Sequence, residues 1–158
     1  MKALLAAFCL VGQAAAAECV VLGDLGYVVP LDLPYDKVVG EQEVTLDLTA
    51  TGLAFTEVSF FTFSALDSLE PSTLDTKALP NGLKTKALPN GLKLHYSTVV
   101  APLGGNAGSL ATLAGWLEGD IRLGVSCMSQ EETPNPEWCL PILEKLRPEA
   151  DGCEKKED

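Results

Sequence analysis

His95 and Ser97 are the side chains with the clearest potential for chemistry, an imidazole two residues before a hydroxyl. Segment 92–100 alternates apolar and polar residues, which predicts a strand with His95 and Ser97 together on its wetter face. A serine hydrolase also needs a third group that orients the imidazole, and donors for an oxyanion. The sequence indicates neither, since it has no G-x-S-x-G motif. We therefore interpret His95, the only histidine, as a surface residue of a strand, and assign no catalytic residue.

Residue spacing predicts no metal or cofactor site. Asp24, Asp32 and Asp36 do not have the spacing of the twelve-residue calcium loop. The cysteines form no C-x-x-C pair, which disfavours structural zinc. The Gly-rich stretch 103–109 lacks the Lys of a phosphate-binding loop, so we interpret it as a flexible connection. Carboxylates are abundant but form no recognisable catalytic pair, which makes a small hydrolase using acidic residues only a second alternative.

The first residues predict the compartment. Lys2, an apolar run over 3–11 and small residues over 12–17 form the three regions of a secretory signal peptide, with cleavage after about Ala17. The apolar run is too short to span a bilayer, and no later segment offers ~20 uninterrupted apolar residues. We expect a secreted or periplasmic protein, outside the cytoplasm, with no integral membrane segment.

Four cysteines remain after removal of residues 1–17, and in a secreted chain they are candidates for two disulfides. They are Cys19, Cys127, Cys139 and Cys153. The preferred pairing is Cys139 with Cys153 and Cys19 with Cys127, because Cys139 and Cys153 flank a predicted helix. The second choice is Cys127 with Cys139 and Cys19 with Cys153.

The charge balance excludes one class of partner. The formal net charge is −11, and removing Lys2 makes it −12. An acidic surface opposes nucleic-acid binding, which depends on neutralising phosphates. Residues 76–117 differ from the rest, since they carry four Lys and no acidic residue.

Residues 76–93 are a tandem repeat in which T-K-A-L-P-N-G-L-K occurs twice. Each copy contains Asn-Gly, a strong hairpin-turn signal because both residues tolerate positive φ. One interpretation is a projecting contact loop for an acidic partner, with Lys77, Lys84, Lys86 and Lys93 as the contact residues. The simpler interpretation, which we prefer, is a spare insertion tolerated in a surface loop, since lengthening a loop costs little. Deletion of 85–93 is then expected to leave the fold intact.

Segment 43–66 is the expected folding centre, because it holds four of the five Phe residues in two strand-like runs. Further strands are expected at 19–22, 27–30, 92–100, about 110–117 and 120–127, and a short helix follows at about 141–147. The sequence therefore predicts a mainly all-β fold: an antiparallel β-sandwich of about seven strands with one short C-terminal helix. A partly closed barrel is the alternative. Residues 18–153 form the single domain, and 154–158 a disordered tail.

Together these features predict a secreted, disulfide-stabilised and non-catalytic binding or interaction module with a protein partner of unknown identity. The alternative is a carrier that holds a small apolar ligand or lipid between its two sheets. Its apolar pocket would be lined by Phe60, Phe61, Phe63 and Trp116.

Overall fold

The structure, a computed structural model, describes residues 17–49, 55–62, 82–118 and 123–153. The described residues form ten strands and one α-helix. The strands are β1 (Glu18–Val21), β2 (Tyr27–Leu31), β3 (Asp36–Val39), β4 (Glu43–Asp47), β5 (Phe55–Thr62), β6 (Lys84–Ala87), β7 (Lys93–Pro102), β8 (Ser109–Glu118), β9 (Leu123–Glu131) and β10 (Arg147–Pro148), and α1 is Leu140–Leu143.

The strands form two antiparallel sheets. The larger has seven strands in the order β3-β4-β5-β9-β8-β7-β6, and the smaller has the order β1-β2-β10. This sandwich-like arrangement confirms the predicted fold class. Strands β3, β6 and β10 were not predicted as strands, because each is short and contains charged residues or proline.

One face of the large sheet forms the core, and we call it the covered face. Val44 lies opposite Phe60, and Leu46 lies opposite Val58, so these apolar pairs stack across β4 and β5. They join a single buried cluster with residues of β1, β2 and α1, including Val29. The other face carries the alternate residues, and we call it the open face. Among the described residues, the small sheet and α1 lie on the covered face.

Two disulfides join distant parts of the domain, Cys127 to Cys139 and Cys19 to Cys153. This is the second of the two pairings considered, and the preferred pairing was wrong. The physical reason is strand alternation: Val20 points into the core, so its neighbour Cys19 lies on the outer side of β1 and is exposed. Cys127 is fully buried on the covered face and cannot reach Cys19 from there.

The C-terminal helix is shorter than expected. Pro141 lies in its first turn, where a missing N–H is tolerated, but α1 ends at Leu143. The chain then enters β10, where Arg147 pairs with Val28 and Pro148 with Tyr27. Within the described ranges, no helix has the length and apolar character needed to cross a membrane.

Candidate functional site

The open face carries a row of side chains that crosses six strands, and we call it the aromatic row. It is defined by the strand register, in which each member lies opposite the next. From β6 to β4 the row reads Thr85, His95, Trp116, Gly124, Phe61 and Glu43. Trp116 and Phe61 are half-buried, and Gly124 between them, which has no side chain, is buried.

His95 is held by a network of three neighbours on this face. Its Nε2 is 2.7 Å from Oε2 of Glu118, and its Nδ1 is 3.1 Å from the hydroxyl of Thr85. Its ring stacks on Trp116, with centroids 5.0 Å apart and an interplanar angle of 18°. The His95 side chain is only 13% exposed, so it is less accessible than a surface strand residue was expected to be.

The sequence interpretation missed the third group, which the structure supplies as Glu118. Ser97 is not the hydroxyl partner of His95, because a side chain two residues along the same strand starts about 6.6 Å away. Thr85 reaches His95 from the paired strand instead. The order hydroxyl, imidazole and carboxylate matches that of a nucleophilic triad. Strand pairing uses the backbone N–H groups of β7 and β8, so those two strands offer no donors for an oxyanion. The contacts of Thr85, Glu118 and Trp116 with His95 fix the two rings in place.

A second row, parallel to the first, carries small and hydroxyl-bearing side chains, and we call it the hydroxyl row. From β7 to β4 it reads Ser97, Ala114, Ser126, Ser59 and Thr45. The hydroxyls of Thr45 and Ser59 are 2.7 Å apart and satisfy each other. The Ser97 hydroxyl has no partner although the residue is only 9% exposed. Leaving such a group unpaired costs about 1–3 kcal/mol.

The far end of the open face is acidic. Asp36 lies opposite Asp47, and Asp47 lies opposite Glu57. Burial raises the pKa of Glu57, and the charges of Asp47 and Glu43 raise it further. Hydrogen bonds from Thr49 lower the pKa of Asp47. The described residues of β3, β4 and β5 place no Lys or Arg on this face, so these carboxylates repel one another.

The residues proposed for an apolar pocket do not converge. Phe60 is fully buried on the covered face, whereas Phe61 and Trp116 lie on the open face. Adjacent residues of a strand point to opposite sides, so Phe60 and Phe61 cannot line one cavity. Phe63 lies outside the described residues.

The four lysines of the proposed contact loop are also separated. Lys84 and Lys86 point to the covered face from β6, where their Nζ atoms lie 2.7 Å from Glu137 and 2.8 Å from Glu144. Lys93 is exposed on the open face opposite Glu118, and Lys77 lies outside the described residues. Lys84 and Lys86 thus form cross-links within the domain, and their role as contact residues stays a prediction.

Lys84 belongs to a small cluster with Tyr96 and Glu137. Its Nζ lies 5.6 Å from the centre of the Tyr96 ring, and the Tyr96 hydroxyl donates to Glu137 at 2.9 Å. Burial is the larger cause and this hydrogen bond the second, and together they raise the pKa of Tyr96 to about 12. Hydrogen bonds from Lys84 and Tyr96 lower the pKa of Glu137.

The second repeat copy forms the β6–β7 hairpin. Leu88 N–H donates to Leu92, Gly91 N–H donates to Leu88, and only Gly91 in the turn has positive φ, at 83°. Pro89 fixes a negative φ, so a three-residue loop replaces the two-residue Asn-Gly turn that was expected. Asn90 Nδ2 donates to the carbonyls of Leu143 and Leu146, which connects this turn to the end of α1.

The Gly-rich stretch connects β7 to β8 and borders an open depression of about 680 Å³. Glu131 and Glu132 contribute to its lining, which contains no Lys or Arg. This acidic lining would repel a phosphate. Nor do the described residues bring three or more His, Cys, Asp or Glu together as metal ligands.

The chain matches no model of a protein family, and no curated protein matches it. The two disulfides indicate an oxidising environment, as found outside the cytoplasm.

Proposed function

We propose that this protein is a secreted, non-catalytic binding module whose contact surface is the open face of the seven-stranded sheet. One observation carries the proposal: the open face holds a fixed aromatic and polar array that the core does not use. The cluster on the covered face contains most of the buried apolar side chains of the described residues.

The array has the properties that favour binding. Aromatic side chains supply large contact areas at low entropic cost, and they are enriched among the residues that dominate binding energy. Trp116 is held before any partner arrives, because His95 stacks on it and is itself held by Thr85 and Glu118. Such preorganisation reduces the entropy lost on binding.

A carrier function between the two sheets is less well supported. A carrier needs a cavity there, but Leu46, Phe60 and Leu113 are fully buried in the contact between the sheets. These described side chains belong to one buried cluster with residues of the small sheet.

Secretion is part of the proposal. The signal peptide lies outside the described residues, and its support is the sequence pattern together with the two disulfides. N-terminal sequencing of protein from the culture fluid or periplasm should begin near Glu18. A cytoplasmic protein that retains residues 1–17 would contradict it.

The binding surface can be tested with a reporter on the open face. Val99 is exposed on the open face, two residues along β7 from Ser97, so a Val99→Cys variant can carry an environment-sensitive fluorophore beside the aromatic row without covering it. A matched label at Glu149, an exposed residue after β10, serves as the control. Fractions of the native extracytoplasmic fluid should change the emission at 99 only, and Trp116→Ala should abolish the change. No change at 99, or equal changes at both labels, would refute the assignment of the open face.

A further inference from the structure

The corner of the open face around Trp116 has a defined shape and polarity. One side of the Trp116 ring lies against His95. Gly124, opposite Trp116 on the next strand, is buried, so the accessible part of this corner lies toward Ala114. Ala114, two residues before Trp116, is exposed, and its methyl group leaves the surface above it accessible. The result is a half-buried aromatic ring beside a shallow floor whose exposed part is Ala114.

The hydrogen-bonding groups of this corner include one without a partner. Ser97 lies opposite Ala114 on the open face and is nine-tenths buried, and its hydroxyl oxygen is unpaired and lies just below the accessible surface. A rotation about χ1 of Ser97 is therefore needed to bring this hydroxyl to a ligand. Ser126, on the other side of Ala114, is partly exposed. A hydroxyl can donate and accept at once, so this floor fits a ligand that also offers both.

The charges define the ligand further. Lys93 lies opposite Glu118, so opposite charges face each other at the edge of this corner. Beyond the hydroxyl row, Asp47 and Glu57 make the rest of the face negative. Phosphorylated, sulfated or uronic-acid ligands would be repelled there, whereas a neutral ligand meets no net charge at the corner.

We infer that the corner formed by Trp116, His95, Ser97 and Ser126 binds a neutral sugar ring of a glycan or polysaccharide. The inference rests on the open face being the binding surface, as proposed above. A sugar ring has an apolar C–H face that packs on Trp116, and hydroxyls at its rim that donate to and accept from Ser97 and Ser126. No covalent step is involved.

Affinity electrophoresis in native gels tests this inference with defined probes. The neutral probes are dextran, mixed-linkage β-glucan, galactomannan and xylan, and the acidic probes are alginate and polygalacturonate. At least one neutral polysaccharide should retard the full chain, while the acidic ones should not. Trp116→Ala should weaken binding about tenfold or more, and Ser97→Ala about threefold.

Two further variants keep the test independent of folding. Ala114→Arg places a large side chain at an exposed position and should abolish retardation without changing the melting temperature. Trp138→Phe changes the chain's only other Trp, which packs against the core, and should bind like the unmodified protein. Retardation that survives both Trp116→Ala and Ala114→Arg would overturn the assigned position.

The outcomes also separate the sugar from the surface. If no neutral polysaccharide retards the chain, the sugar assignment is overturned. If the fluorophore at 99 then responds to material that is destroyed by protease but resists periodate, the open face binds a protein instead. If it responds to neither kind of material, the binding surface fails as well.

Discussion

The tandem repeat permits a sharp test of what Lys84 contributes. The two copies are identical, so deleting 76–84 or 85–93 produces the same sequence. In the full chain, Lys84 directly precedes the copy that forms the hairpin. In the deletion variant Asp75 takes that place, because it directly precedes the one remaining copy.

The exchange replaces an attraction by a repulsion. Lys84 pairs with Glu137 and lies over the Tyr96 ring, and the Lys84 and Glu137 side chains are 45% and 35% exposed. Ion pairs this exposed contribute about 0.2–1 kcal/mol, and an exposed cation–π contact about 0.5–1 kcal/mol. Repulsion between Asp75 and Glu137 adds a few tenths of a kcal/mol. We therefore expect the deletion to lower the free energy of unfolding by about 1–2 kcal/mol. For a domain of this size that lowers the melting temperature by about 3–8 °C.

Thermal unfolding followed by far-UV circular dichroism measures this loss. Three chains are compared at neutral pH and low salt: the full chain, the nine-residue deletion, and the deletion with Asp75→Lys. The added Lys should restore most of the loss. The pKa of folded Glu137 is lowered, so its stabilising effect is present above its unfolded pKa and disappears as the pH falls through the folded one. The difference between the chains should therefore shrink at pH 2–3.

Two results would refute the reasoning. A deletion variant that melts as high as the full chain would show that Lys84 adds nothing. A larger fall that Asp75→Lys does not restore would show that the first copy itself is structural, against the prediction that one copy is dispensable.

Three other substitutions probe β5. Because the pKa of Glu57 is raised in the folded state, its charge costs stability above that pKa. Glu57→Gln should therefore raise the free energy of unfolding at pH 7 by a few tenths of a kcal/mol, which a higher urea midpoint would show. Near pH 3 the substitution should leave the midpoint unchanged. A lower midpoint at pH 7 would reveal a favourable partner for Glu57. Thr56 is buried with an unpaired hydroxyl, so Thr56→Val should leave the melting temperature unchanged or raise it, whereas Ser59→Ala, which removes the bond to Thr45, should cost about 1 kcal/mol. If Thr56→Val and Ser59→Ala destabilise the domain equally, the assignment of the Thr56 hydroxyl as unpaired is contradicted.

The alternation of core-facing and outward-facing side chains within a strand could be predicted from the sequence. Segment 92–100 predicted which side chains of β7 face the core, and Leu94 and Tyr96 are buried as expected while His95 lies on the opposite face. Val100 is exposed near the end of that strand. Strand β3 was missed because Asp36–Val39 is an end strand of four exposed residues, which carries no burial pattern.

The pairing register of the strands could not be predicted from the sequence, and the candidate site depends on that register. His95 meets Trp116 and Glu118 only through the pairing of β7 with β8, which neither segment encodes alone. The disulfides show the same limit, because their pairing depends on which side of β1 Cys19 occupies. The four bonded cysteines could be named in advance, whereas their partners required the packing of the two sheets.

The bond between Cys19 and Cys153 has a mechanical consequence. It joins residues 134 positions apart, close to both limits of the described domain, with Cα atoms separated by 5.5 Å. A pulling force applied to the chain before Cys19 and after Cys153 is therefore carried by the disulfide. The strands between the two cysteines then bear none of that force. A proteolytic cut in a loop between them would likewise leave the two pieces attached to each other. A domain closed in this way keeps its shape when the chain on either side of it is pulled.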